Sequence, residues 1–104
     1  MLETEILDSL VKPLVESGIY KDETSALKDI ILDYINRKRE EYAAIISHFQ
    51  KKYKADFDAF TKDIENSATL QAEDDWMEWK GAIEMRKSWE EAYHISIHGK
   101  AKAV

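Results

Sequence analysis

The chain has no cysteine, one proline and three glycines among its 104 residues. No apolar run approaches the ~20 residues that a membrane-crossing helix needs. The absence of cysteine removes disulfide frameworks, thiolate zinc sites and cysteine nucleophiles together, and points to a reducing, cytoplasmic home. The segment Met1-Leu2-Glu3-Thr4-Glu5 lacks the basic opening of a signal peptide, so a soluble, unprocessed protein is expected. Between Ile19 and Lys80 there is neither glycine nor proline, and only side-chain chemistry can end a helix there. Basic residues are outnumbered 15 to 21, and the net charge of −6 disfavours a stand-alone nucleic-acid binder, whose grip on phosphates comes largely from Lys and Arg.

What is present is helix-forming material. Apolar residues make up 44% and charged residues 35% of the chain, a composition far from disorder and close to that of helical bundles. The expectation is one all-α domain over 1–95, built from about four helices as a dimeric bundle or coiled-coil-like assembly, with a frayed tail over 96–104. The first helix covers about Leu2 to Ser17, with Leu2, Ile6, Leu10 and Leu14 spaced by four. Pro13 removes one backbone donor and should kink it or split it in two. A strand over Leu2 to Leu7 followed by a helix from Ser9 is the alternative.

The second helix should start at Asp22 and run to about Tyr53, since Leu27, Ile30, Ile31, Tyr34, Ile35, Tyr42, Ile45, Ile46, Phe49 and Tyr53 share a face. Lys38 falls in the middle of that stripe, where its methylenes can lie along the apolar surface. At 1.5 Å per residue this rod measures about 45–50 Å and outgrows a compact domain of its size. Its exposed part needs a cover, and Leu27, Ile31, Tyr34, Lys38, Tyr42, Ile45 and Phe49 are the expected oligomer interface. A short third helix, Asp56 to about Asn66, carries Phe57, Phe60 and Ile64. Ser67 to Glu73 reads as a loop. A fourth helix from about Asp74 to Ile95 places Trp79, Ala82, Ile83, Trp89 and Tyr93 on one arc, with Arg86 inside it.

Charge is unevenly distributed. Asn36 to Lys54 holds Arg37, Lys38, Arg39, Lys51, Lys52 and Lys54, whereas Ala55 to Lys80 holds eight acids. Such segments pair within the fold, pair across an oligomer, or form two solvated faces. His94 and His98 stand at i and i+4, but no acid lies between them as in the metalloprotease pattern, and Gly99 follows at once. Pairs such as Asp74 or Asp75 with Glu78 are unavoidable in so acidic a stretch. With no phosphate-cradling loop and no repeated Glu-x-x-His, neither an enzyme nor a bound cofactor is expected.

Asp74-Asp75-Trp76-Met77-Glu78-Trp79 has the composition of a protein contact, aromatic anchors with charges at the rim, and with Arg86 it forms the expected partner-binding set. The plain alternative is that Trp79 and Trp89 fill the core, which leaves Trp76 and Met77 as the better contact candidates.

The run Leu14-Val15-Glu16-Ser17-Gly18-Ile19-Tyr20, a cap at Asp22, then Ala26, Leu27, Ile30 and Ile31 resembles the helix-turn-helix part of ribbon-helix-helix repressors and related antitoxins. Phe49-x-x-x-Tyr53, Asp56-Phe57-x-x-Phe60, Ile64-Glu65-Asn66 and the Trp-rich acidic segment are similar to small prokaryotic, especially archaeal, antitoxin-like proteins. The departure is at the start: Met1 to Leu7 carries Glu3, Thr4 and Glu5 and no Lys or Arg for reading DNA with a ribbon. The resemblance implies a dimeric helical protein that neutralises a basic, ribonuclease-like toxin by steric cover and charge complementarity. A structural homo-oligomer, or a regulator binding DNA through 37–54, are the competing expectations.

Overall fold

The computed structural model describes residues 3–98. Four helices account for nearly all of them: α1 (Glu3–Glu16), α2 (Glu23–Tyr53), α3 (Phe57–Asn66) and α4 (Leu70–Ile97). The all-α class therefore holds, with no strand among the described residues. The strand alternative is corrected for the segment up to Leu7, which is helical from Glu3 onward. Leu2 lies outside the described residues.

Pro13 does not divide α1. It removes the N–H that would bond one turn back, but it sits close enough to the C-terminus that little helix follows it. Its own carbonyl still accepts from the Ser17 N–H at 3.0 Å. Gly18, at φ 85°, then turns the chain in the left-handed region that side chains disfavour, and the Ile19 and Tyr20 N–H groups both close on the Leu14 carbonyl at 3.1 Å. Asp22 is extended and its carboxylate accepts from the Ser25 N–H at 2.7 Å, opening α2.

α2 runs unbroken for 31 residues, about 46 Å. It stops at Lys54, a non-glycine residue at φ 51° whose N–H reaches the Gln50 carbonyl. Asp56 caps α3 through the Ala59 N–H at 2.8 Å. α4 begins four residues before the expected Asp74, because the Thr69 hydroxyl accepts from the Ala72 N–H at 3.0 Å and makes Leu70 the first helical residue. The loop expected over Ser67 to Glu73 thus shrinks to a short link. α4 also continues through Ser96 and Ile97, past the expected boundary at residue 95. The rest of the expected tail, 99–104, lies outside the described residues.

α2 and α4 lie antiparallel, since Lys52 pairs with Asp75 at one end and Arg39 with Glu90 towards the other. α3 closes the first end, and there the core forms: Ile46, Phe49, Phe60, Trp79 and Ala82 are buried, with Tyr42, Ile45, Tyr53, Phe57, Trp76 and Ile83 packed around them. At the other end α1 folds against the start of α2, burying Val11 and Ala26. The molecule is long, 60 × 32 × 27 Å with a radius of gyration of 19.7 Å, against about 13 Å for a compact chain of this size.

Candidate functional site

α4 advances by about 100° per residue, so neighbours in sequence cannot share a face. The six residues from Asp74 to Trp79 are accordingly divided. Trp79 is fully buried, with its ring centroid 5.4 Å from that of Phe60, 5.4 Å from Phe57 and 5.6 Å from Phe49. Its Nε1 has no acceptor, a cost its apolar burial outweighs. Trp76 is half-buried: it stacks on Phe57 at 5.6 Å and donates its Nε1–H to the Thr61 hydroxyl at 2.8 Å, fastening α4 to α3.

Asp75 is buried as well. Its carboxylate accepts from Lys52 Nζ at 2.6 Å, from Gln71 Nε2 at 2.9 Å and from the Tyr53 hydroxyl. The Lys52 and Tyr53 bonds hold the Asp75 carboxyl below the usual carboxylate range. The same carboxylate raises the Lys52 ammonium, while burial first and Asp75 second raise the Tyr53 phenol. Asp75, Trp76 and Trp79 are therefore corrected from a free contact surface to internal packing and bracing.

Asp74, Met77 and Glu78 face solvent, Met77 with 67% of its surface exposed. They belong to a stripe on the far side of α4 from Trp79. Helical spacing joins them to Leu70, Gly81 and Met85, the last 42% exposed, with Glu73 and Glu84 alongside. The sequence motif does not reach Leu70, Gly81, Glu84 and Met85, although they stand four, seven or eight residues from Met77, spacings that return to one helical face. Gly81 is unusual in mid-helix, where glycine costs about 1 kcal/mol relative to alanine. A Cβ placed on it meets nothing within 4 Å, so no neighbour in this chain requires its absence.

Arg86 is exposed on the lip of a cleft of about 370 Å³ between α2 and α4, lined by Ile46, Gln50, Phe57, Trp79, Ile83, Lys87 and Glu90. It lies apart from the Met77 stripe. Beyond it Arg39 grips Glu90 through two bonds, 2.9 and 3.2 Å, touches Asn36 at 2.6 Å and lies 3.8 Å over the Tyr93 ring. The Arg39 bonds hold Glu90 below its ordinary range. Two of the six basic residues in 37–54 thus pair inside the fold, and Arg37 and Lys38 pair along the helix with Asp33 and Glu41.

The expected oligomer face of α2 is also divided, here along its length. Phe49 is buried in the intrachain core, which corrects its assignment to a contact between copies, while Tyr42 and Ile45 pack against that core and stay partly exposed. Ile31 and Tyr34 stay exposed, while Leu27 and Lys38 are half-buried, Lys38 lying 5.6 Å from the Tyr34 ring. The His94 and His98 rings are parallel at 6.2 Å. Among the described residues no group of three or more His, Asp or Glu side chains is placed to hold a metal ion.

The chain matches no family model, no curated protein and no solved structure. The functional reading accordingly rests on the surfaces described above.

Proposed function

We propose that this protein is a non-catalytic binding module, antitoxin-like in action, that captures a basic partner protein on the outer face of α4. The observation that carries the reading is the row Leu70, Met77 and Met85, exposed on the side away from the core and bordered by Glu73, Asp74, Glu78 and Glu84. Apolar side chains in the middle supply contact area, and methionine adapts to irregular partners. The acids outnumber the one base of this stretch, Lys80, whose ammonium lies 5.4 Å from the Trp76 ring, and favour a basic surface over an acidic one. The net charge of −6 acts in the same direction at longer range.

The test is affinity for the product of an adjacent small reading frame, measured by calorimetry on the co-expressed pair. Replacing Asp74 and Glu78 together by Lys should weaken the complex at least about tenfold, with Met77→Ala costing about 1 kcal/mol in addition. A complex that keeps full affinity in both variants would exclude this face.

A further inference from the structure

The end of the molecule away from Trp79 carries a second apolar surface, separate from the α4 stripe. α1 exposes Ile6, Leu7 and Leu10, and α2 exposes Ile30, Ile31 and Tyr34. Leu10 is 67% exposed, Ile31 49% and Tyr34 48%. These are continuations of stripes whose other members are covered: Val11 on α1 is buried, and so are Ile46 and Phe49 further along α2. The helices form, yet part of each apolar face stays in solvent, with Tyr34 meeting only the edge of the Trp89 ring of α4 at 5.7 Å.

We propose that a second copy of the chain covers this end, in a two-fold dimer that places the α1 and α2 faces of each protomer against those of the other. Area supports this occupant. A compact chain of 12.1 kDa exposes about 6,000 Å². This one exposes 7889 Å², a surplus of about 1,900 Å², whereas a standard interface takes about 800 Å² from each partner. The surplus exceeds the share that one partner gives to such an interface.

Charge is less one-sided at this end than along the α4 stripe. Acids are in excess, but bases stand among them: Lys12 with Glu5, Asp8 and Glu16 on α1, and on α2 Lys28 with Glu23 and Asp29, Arg37 paired to Asp33 at 3.2 Å, and Lys38 paired to Glu41 at 3.5 Å. A mixed rim can meet itself. The acid-bordered stripe of α4 would meet its own copy as like charge on like charge, so the two surfaces suit different occupants. A two-fold contact also uses each side chain twice, so a single substitution acts at two places.

Sedimentation equilibrium on the intact chain between micromolar and hundred-micromolar concentrations tests this without any other partner. The expected result is a monomer–dimer equilibrium. Ile31→Glu and Leu10→Glu should each raise the dissociation constant by at least about a hundredfold, because two carboxylates are then buried unpaired per dimer. Met77→Glu, on the α4 stripe, should leave it unchanged. Helicity by circular dichroism confirms that each variant is folded, and Ile31→Ser serves if the glutamate variant is not. A chain that stays monomeric throughout, an assembly larger than a dimer, or a dimer weakened by Met77→Glu and indifferent to Ile31→Glu, Ile31→Ser and Leu10→Glu would overturn the proposal. Monomeric behaviour or indifference to Ile31 and Leu10 leaves capture of a basic partner by α4 untouched, whereas a dimer through Met77 would occupy that face; capture itself is read in a separate assay.

Discussion

The C-terminal half of α2 carries Phe49 and Tyr53 into a packed aromatic cluster, whereas its N-terminal half carries Ile30, Ile31 and Tyr34 into solvent, although both halves continue one apolar stripe. The difference lies in what the rest of the chain supplies. At the aromatic end α3 and the first half of α4 converge on Trp79, and three rings lie within 6 Å of it. At the open end Ala26 and Ile35 are buried and the Trp89 ring of α4 meets Tyr34 edge-on at 5.7 Å, but Ile30, Ile31 and half of Tyr34 remain in solvent. A helical stripe therefore states that cover is required and is silent on whether the same chain provides it.

The sharpest way to break the comparison is to empty the aromatic end. Trp79→Ala should cost about 3–5 kcal/mol of unfolding free energy in a urea titration, since it removes the largest fully buried side chain. A loss below about 1 kcal/mol would mean that stability is spread evenly along the molecule.

Next in size is the brace beside it. Asp75→Asn should cost about 1–3 kcal/mol at neutral pH, because Lys52 and Tyr53 lose a charged acceptor. The Asp75 carboxyl is held below its ordinary value when folded, so its contribution is complete above about pH 4 and fades as pH falls through the depressed value. The variant should show a shallower acid limb of stability against pH, with the part due to Glu90 remaining. An acid limb of unchanged slope would argue that the Asp75 contacts are energetically idle.

The smallest expected effect has the opposite sign. Gly81→Ala should raise the unfolding free energy of the free protein by about 1 kcal/mol, as helix propensity dictates where a Cβ meets nothing. If α4 receives a closely approaching partner there, the same substitution should weaken that complex. Stabilisation with unaltered partner affinity would place the contact elsewhere on the helix.

Much of this architecture was legible in the sequence because caps and turns are local. Gly18, Asp22 and Asp56 mark their boundaries through backbone geometry and one carboxylate each, and those boundaries stand within a residue or two. Thr69 is as good a cap as Asp22, but it precedes Leu70 and Gln71 rather than a clear apolar rhythm, so sequence pattern points to Asp74 and the helix starts at Leu70. Lys54 ends α2 in a conformation usually left to glycine, and nothing in the residue type announces it. The candidate contact surface was harder to read. Asp75 reads in the sequence as a rim charge of the contact motif, whereas a lysine and a tyrosine from the end of α2 enclose it. Composition could gather Trp76, Met77 and Trp79 into one motif. Separating the methionine from the two indoles required knowing which side of α4 meets α2 and α3.

The unbroken course of α2 sets a length scale. Antiparallel packing puts the start of α2 beside the end of α4, so Ile31 and Met77 lie on the order of 30 Å apart along the axis, at 1.5 Å for each of about twenty residues. Two chains joined at the Ile31 end would present two methionine faces at opposite extremes of one rigid particle. Such a particle is bivalent: toward a partner that is itself paired or repeated, the second engagement proceeds at a raised effective concentration, and residence time increases without a new contact in either site.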